Sequence, residues 1–564
     1  MNASGRPGID TARAAVVETE VLVIGGGVTG AGVLRDLALR GVQAMLIDKL
    51  DLCAGASGGN HGLLHSGARY VSTDPDAAIE CRVENERLVR LAPQCIEPTG
   101  GLFVAVEGDD AAFADGFPAL CRRAGIACEE LGLAEVLELE PQLSSRVMRA
   151  FRVPDAAVDP FHLALANVDH ARALNGAVYR AHTELLRFDL AGGEIRSAIC
   201  RDTRSGAMLQ IRARQFVNAG GAWSMAIARL AGCADVELVY NKGTLLVHHD
   251  RLARHVLNRL RPPADGDILV PGGTVSLLGT SSSRVDDPDR VAPTADEVDR
   301  IVREGAAMVP ALAGARYTRA FSRVRPLLQG ATAAGDRAAS RGFALLDHES
   351  QGLANLCTIT GGKLTTYRTM AERAVDRVMR RLGREVAGTT ATTPLPETGA
   401  GRWTEAGAAA RAVVARRDAR DTVLCECEMV PASVVDEIAA ALADGQAAFA
   451  PGVEAPAGDA AAACAAAGRP RTPVPPRASL EAIALRSRIG KGSCQGSFCG
   501  IRVASHLCDR GLADGPSALA GLRDFLDERF KGQRPVIWGA QAAQVELAEA
   551  LHCGLLGLDQ LDDA

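Results

Sequence analysis

The chain reads as an α/β protein with a Rossmann-like dinucleotide-binding unit at its N-terminus and a separate cysteine-bearing domain in its C-terminal third. Three observations predict this. Residues 21–48 run in the order strand, glycine turn, helix, strand, acid. Asp267–Pro271 and Ser276–Thr280 form two strands around a Gly-Gly turn. Four cysteines, Cys425, Cys427, Cys494 and Cys499, stand as two local pairs. At 564 residues the chain exceeds one ordinary core, so two or three domains are expected.

In the first unit, the apolar run Val21–Ile24 leads into Gly25-Gly26-Gly27-Val28-Thr29-Gly30. A helix follows with Val33, Leu34, Leu37 and Ala38 on one face, stopped by Gly41. The run Ala44–Ile47 then ends in Asp48. Gly25 permits the tight turn, Gly27 lets the backbone approach a pyrophosphate, and Gly30 lets helix and strand pack closely. The helix N-terminus offers free N–H groups to phosphates, and Asp48 can accept from ribose hydroxyls. The motif alone does not choose between FAD and NAD.

Composition sets outer limits. Hydrophobic residues make up 47%, charged residues 23%, and the net charge of −6 provides no basic field, which excludes nucleic acid as an expected partner. No window reaches the 18 or so continuous apolar residues of a membrane span. The N-terminal residues lack the apolar core of a secretory signal, so residues 1–19 are expected to be a disordered tail and the protein cytoplasmic. The 15 cysteines, an odd number in that compartment, argue against a disulfide framework.

Further segments suit a flavin. Asp51–Tyr70, DLCAGASGGNHGLLHSGARY, is dense in small residues able to lie along a cofactor. Phe216–Trp223 is a strand running into Gly220-Gly221. Thr358–Thr360 leads into Gly361-Gly362-Lys363-Leu364-Thr365 and a helix, a second anion-seeking terminus suited to the charge of a reduced flavin; an ordinary loop is the alternative.

These motifs resemble the FAD-dependent glycerol-3-phosphate dehydrogenases, within the D-amino-acid-oxidase-like flavoprotein superfamily. The carrying segments are GGGVTGAGVLRDLALRG, GASGGNHGLLHSGARY, VNAGGAW, FSRVRPL and ITGGKLTTYR, spread in order over residues 21–370. The cysteines narrow the likeness to the family's anaerobic branch. The resemblance implies a Rossmann-like FAD-binding domain interleaved with an antiparallel-sheet substrate domain over residues 20–395. It also implies a linker at 396–420, a [2Fe–2S] domain like bacterioferritin-associated ferredoxin at 421–510, and a helical region at 511–564. FAD is then expected on Gly25, Gly27, Gly30, Asp48, Ser57, Asn60, Gly62, Ala219, Gly220, Gly361, Gly362, Lys363, Leu364 and Thr365.

The implied activity is oxidation of glycerol 3-phosphate, with arginines for the phosphate, a base for the hydroxyl proton and flavin N5 as hydride acceptor. The resemblance points to Arg325, Arg69, Tyr70 and Lys363 as pocket residues. His65 is the candidate base, since a histidine titrates near neutrality, or else a group packed on the flavin that tunes it; His61 reads as structural. Aerobic members of the family carry a histidine shortly after a Lys-Gly pair, whereas Lys242-Gly243 is followed here by Thr244, with His248 and His249 further on. That departure favours His65 as base or a different pocket. The rival readings are a 2-hydroxy-acid dehydrogenase of the 2-hydroxyglutarate type and a non-catalytic electron-transfer subunit.

The CxC and CxxxxC pairs bring four thiolates, the number a [2Fe–2S] cluster requires, with Gly492 and Gly496 letting the backbone wrap closely. Zinc suits four thiolates equally; the need for an electron exit beside a flavin favours the cluster. An Ala/Pro/Gly-rich insert at 446–478 separates the pairs and is expected to be disordered. By the resemblance, the partners are a second flavoprotein subunit together with a membrane-anchoring iron–sulfur subunit. Quinone is then the final acceptor, and the chain is peripheral on the inner face of the membrane.

Overall fold

The computed structural model describes residues 14–233, 238–328, 342–396, 420–443 and 478–558, together with 411, 413–415 and 418. The linker expected at 396–420 and the insert at 446–478 therefore lie almost wholly outside the described residues.

The strand Ala15–Ile24 lies between Met208–Asn218 and Ala44–Ile47, parallel to both. Residues 15–19, expected as part of a tail, pair instead with Leu209–Ala213. Their partner lies almost two hundred residues downstream, which no local pattern reveals. Leu356–Gly361 extends the parallel core beside Phe216–Asn218, and Val178–Arg180 closes it beside Met45–Ile47. With antiparallel strands added at Thr183–Ala191, Glu194–Asp202 and Phe343–Asp347, this sheet has eight strands among the described residues. The glycine-turn helix Val28–Leu39 packs against Pro160–Asn175 on one side and Tyr367–Leu382 on the other. That explains why its apolar residues are not confined to one stripe.

Chain excursions between these strands build a second sheet, mostly antiparallel and of nine strands among the described residues, so the two sheets are interleaved along the chain. Ile268–Gly272 and Val275–Gly279 pair around the Gly-Gly turn. Leu238–His248 pairs along Tyr317–Leu328, with Gly243 opposite Arg323 and Asn241 opposite Arg325. On Tyr317–Leu328 the two-residue period of a strand puts Thr318, Ala320, Ser322 and Val324 in the core, and half-exposes Arg319, Phe321, Arg323 and Arg325 on the other face.

The C-terminal domain gathers a short hairpin, Val423–Cys425 with Val430–Pro431, and helices Ala432–Ala443, Leu480–Arg486, Cys499–Asp509, Gly515–Gln533 and Ala540–Leu556. Leu522, Leu526 and Phe530 share one core with Val435, Ile438 and Val503. The boundary expected at residue 510 is thus absent, because the following helix carries apolar residues that the small cysteine unit needs as a lid. Among the described residues no helix is long and apolar enough to cross a membrane.

Two buried ion pairs fasten this domain to the flavin-side loop. Arg486 reaches Asp51 at 2.7 Å, and Arg488 bridges Glu428 and Asp159, the latter at 3.2 Å. Asp159 also caps the helix Pro160–Asn175. Beside it, His162 is pushed down to about 4, by burial first and then by Lys491 and Arg488, with Asp159 opposing. It is neutral in the fold and takes up a proton on unfolding below about pH 6.5, so its contribution to stability is full above that value and is lost as pH falls toward 4. His162→Asn is expected to flatten the rise of unfolding free energy between pH 4 and 6.5 by up to about 1.4 kcal/mol per pH unit. Parallel urea titrations of the two proteins across that window test this, and identical slopes would refute it.

Candidate flavin and substrate site

The glycine turn has the close contacts its spacing requires. Gly25 adopts φ +115°, and a Cβ there would lie 2.5 Å from the Ala219 carbonyl oxygen. A Cβ on Gly30 would lie 2.0 Å from the carbonyl oxygen of Gly25, so only glycine lets the helix start this close to the strand. Gly27 is the N-cap, with no side-chain cap bond to itself and no acid in the first turn. Ser57 Oγ accepts the Val28 N–H at 3.0 Å. The positive end of the helix thus faces the cavity, with Gly27, Val28, Thr29 and Ser57 in its wall. Asp48 accepts from Gly26 N at 2.6 Å and Leu50 N at 2.8 Å, and burial raises its carboxyl despite those bonds.

From this turn a cavity of about 850 Å³ runs between the two sheets, within the size range of about 300–1,000 Å³ typical of ligand sites. Gly25, Gly27, Asp48, Ser57, Asn60, Ala219, Gly220, Gly361, Gly362, Lys363 and Leu364 line it, as do His65, Arg69, Tyr70 and Arg325. Three residues expected on the cofactor do not. Gly30 serves packing. Gly62 adopts φ +71°, with its missing Cβ turned to the Val158 carbonyl. Thr365 is fully buried, and its hydroxyl accepts the His65 backbone N–H at 3.1 Å, holding the histidine's backbone in place.

The far end of the cavity gathers the polar groups. Arg325 donates to Asn241 Oδ1 at 2.6 Å, Thr280 Oγ1 at 2.8 Å and the Ser281 carbonyl at 2.9 Å. These three acceptors aim the guanidinium. A Cβ on Gly243 would lie 1.9 Å from Arg325 Nη2. Gly243 therefore makes room for this arginine, while Lys242 turns away into a buried ion pair with Glu297 at 2.8 Å. His248 and His249 sit at the other end of the same strand. Arg69 is anchored to the fully buried Asp267 at 2.8 Å. The Tyr70 hydroxyl lies 3.3 Å from His65 Nε2, and Lys363 Nζ stands 4.8 Å above the Tyr70 ring.

His61, expected to be structural, lines this end as well. Burial, Arg325 and Arg69 push it down to about 3, so it stays neutral. Its Nδ1 accepts the Leu63 N–H at 3.2 Å, which leaves Nε2–H as a fixed donor. Its place four residues before His65 in the small-residue segment was the available signal.

In the C-terminal domain the four thiols form a ring. Cys425 and Cys427 sulfurs lie 3.8 Å apart and Cys427 and Cys494 3.9 Å apart, while Cys499 shares hydrogen bonds with Cys494 and Cys425. Among the described residues no group of three or more His, Cys, Asp or Glu closes around a single-ion site. A Cβ on Gly492 would lie 2.6 Å from Cys427 Sγ, and Gly496 adopts φ +94° against the Phe525 ring. Hydrogen bonds from Cys427 and Cys499 hold the Cys494 thiol down, while neighbouring thiols and burial push the other three up.

A dinucleotide-binding turn opening onto a cavity between a mainly parallel and a mainly antiparallel sheet defines a two-domain flavin oxidoreductase. Residues 20–377 match the family described as FAD dependent oxidoreductase (DAO). The chain is 38% identical over 571 residues to the A subunit of the anaerobic glycerol-3-phosphate dehydrogenase of Escherichia coli (strain K12), covering 96% of this chain and 97% of that one. It is 35% identical to the A1 subunit of the corresponding Haloferax volcanii enzyme, covering 96% and 91%. In fold it is similar to the FAD complex of Bacillus halodurans glycerol-3-phosphate dehydrogenase, at TM-score 0.60 and 20% identity, covering 94% and 98%. The chain belongs to the FAD-dependent oxidoreductase family, in the branch of the anaerobic glycerol-3-phosphate dehydrogenase A subunits.

Proposed function

We propose that this chain oxidises sn-glycerol 3-phosphate to dihydroxyacetone phosphate. The observation that carries the reading is Arg325, seated over Gly243 by Asn241 and Thr280 in the wall of the flavin cavity that also holds the His65–Tyr70 pair. Arg325 offers the planar fork that a phosphate dianion accepts, and the outer donors of Arg69 assist. His61 Nε2–H donates to a substrate oxygen. His65 Nε2, shared with the Tyr70 hydroxyl, takes the proton of the C2 hydroxyl as C2 loses its hydride. FAD, seated on the glycine turn and on Gly361–Leu364, supplies the two-electron acceptor. Lys363, at the mouth of that second turn, places positive charge where negative charge accumulates.

The cysteine ring would hold a [2Fe–2S] cluster on Cys425, Cys427, Cys494 and Cys499, supplying a one-electron exit. Its partners would be a second flavoprotein subunit and a membrane-anchoring iron–sulfur subunit, with quinone the final acceptor. The relatives are named as single subunits of a larger enzyme, which supports the existence of such partners. Through them the chain is peripheral on the inner face of the cell membrane.

Protein purified without oxygen tests both halves. Adding glycerol 3-phosphate is expected to bleach the flavin band, while 2-hydroxyglutarate leaves it unchanged; the reverse would replace the substrate. About two irons and two labile sulfides per chain are expected, and their loss in Cys494→Ser. Stoichiometric zinc instead would remove the cluster from the mechanism.

A further inference from the structure

A second cavity, of about 330 Å³, lies between the flavin cavity and the cysteine ring. It shares Gly59, Asn60, His61 and Arg323 with the flavin cavity and reaches Gln495, next to Cys494, on its other side. The dinucleotide cradle, the substrate end and the thiol ring are all complete without it.

One wall is the outward face of the strand Tyr317–Leu328, where Arg319, Phe321 and Arg323 follow one another at the two-residue period. Arg323 donates to the carbonyls of Ala54 at 3.3 Å and Ser322 at 3.0 Å. Arg319 Nε is buried with no hydrogen-bond partner, and neither arginine forms an ion pair among the described residues. Burial pushes the Arg319 guanidinium down, with Arg323 adding to this and Glu528 opposing it. A guanidinium whose Nε is shut off from water and has no hydrogen-bond partner carries a desolvation cost that a bound anion would relieve.

The acids that line the cavity do not fill that role, and Glu528, which acts on Arg319 from outside it, is paired with Lys531 at 3.7 Å. Asp51 is committed to Arg486, and Asp159 to Arg488. Glu481 lines the cavity, but burial and the neighbouring Asp51 raise its carboxyl, which favours the neutral form. Lys491 adds a further cation, its Nζ donating to the Ser487 carbonyl at 2.7 Å and standing 4.3 Å from the Phe161 ring. The opposite wall is apolar, with Phe161, Leu485, Ile489 and Phe525.

We propose that this second cavity binds a small organic anion, a carboxylate or a phosphate monoester with an apolar body. The anionic head sits on Arg319 and Arg323, and the body lies among Phe161, Phe321 and Phe525. Such a ligand stands between the two redox sites, against Asn60 on one side and Gln495 on the other. The inference does not depend on which substrate the flavin cavity takes.

Calorimetry on the FAD-loaded full-length protein, saturated with glycerol 3-phosphate, tests it with benzoate and phenyl phosphate as probes. At least one probe is expected to bind once per chain with Kd at or below about 1 mM; the stronger of the two identifies the head group. Arg319→Gln is expected to weaken it by about tenfold or more, with flavin content and the KM for glycerol 3-phosphate unchanged. Leu277→Trp, which fills this cavity from a wall the flavin cavity does not share, is expected to abolish binding and carries the test if Arg319→Gln loses its flavin. Saturable binding by neither probe, affinity unchanged in both variants, or displacement of the probe by glycerol 3-phosphate would each overturn the proposal.

Discussion

Arg325→Ala is expected to lower kcat/KM for glycerol 3-phosphate by about 10²- to 10³-fold while FAD stays bound. Two charge-assisted hydrogen bonds to a phosphate contribute about 3–4 kcal/mol together, and each 1.4 kcal/mol or so is tenfold in rate. The flavin is expected to stay because Arg325 is held by Asn241, Thr280 and Ser281 and touches none of the glycine-turn residues. Gly243→Ala is a companion test that leaves the arginine in place chemically. Its methyl group would occupy the position of the Nη2 nitrogen, 1.9 Å away, and so must displace the guanidinium. Its main effect is expected on KM. Steady-state kinetics with a dye acceptor, at matched flavin content, measures both. If Arg325→Ala turns over like the parent, phosphate recognition lies elsewhere in the cavity.

Arg486→Ala is expected to destabilise the protein by about 3–5 kcal/mol, the usual cost of stranding a buried charge. Asp51 is almost fully buried; burial alone would raise its carboxyl, but Arg486 together with bonds from Leu52 N and the Tyr179 hydroxyl holds it down. Removing the arginine leaves that carboxylate without its counter-charge at the seam between the flavin-side loop and the C-terminal domain. The double variant Arg486→Met with Asp51→Asn is expected to recover part of the loss, because it removes both charges. Urea unfolding midpoints of the parent, the single variant and the double variant separate these effects. A single variant as stable as the parent would mean that the pair does not fasten the two domains.

Several parts of the fold were legible along the chain because their physics is local. Gly30 answers the Gly25 carbonyl within one strand–helix unit, and the strand–turn–helix spacing around Gly25 and Gly27 is itself local. The Gly-Gly turn between Ile268–Gly272 and Val275–Gly279 is a property of that hairpin alone. The spacing of Cys425, Cys427, Cys494 and Cys499 likewise announced a common site, and the sulfurs do meet. Other readings failed where the partner is remote. Residues 15–19 become strand only because Leu209–Ala213 arrives beside them, and Gly515–Gln533 joins the cysteine domain only because its core is short of apolar cover.

Sequence by itself determined the chemistry on offer: a pyrophosphate turn, a second glycine turn for a flavin, four thiols, and a small set of histidines and arginines. Tertiary structure alone decided which of these face one another. It put His61 in the cavity and made it neutral by burying it, with Arg325 and Arg69 set beside it. It gave Thr365 the task of holding His65, and it showed that Gly243 exists for Arg325. Side-chain identity is written residue by residue, whereas burial and the field of neighbouring charges arise only when segments hundreds of residues apart pack together.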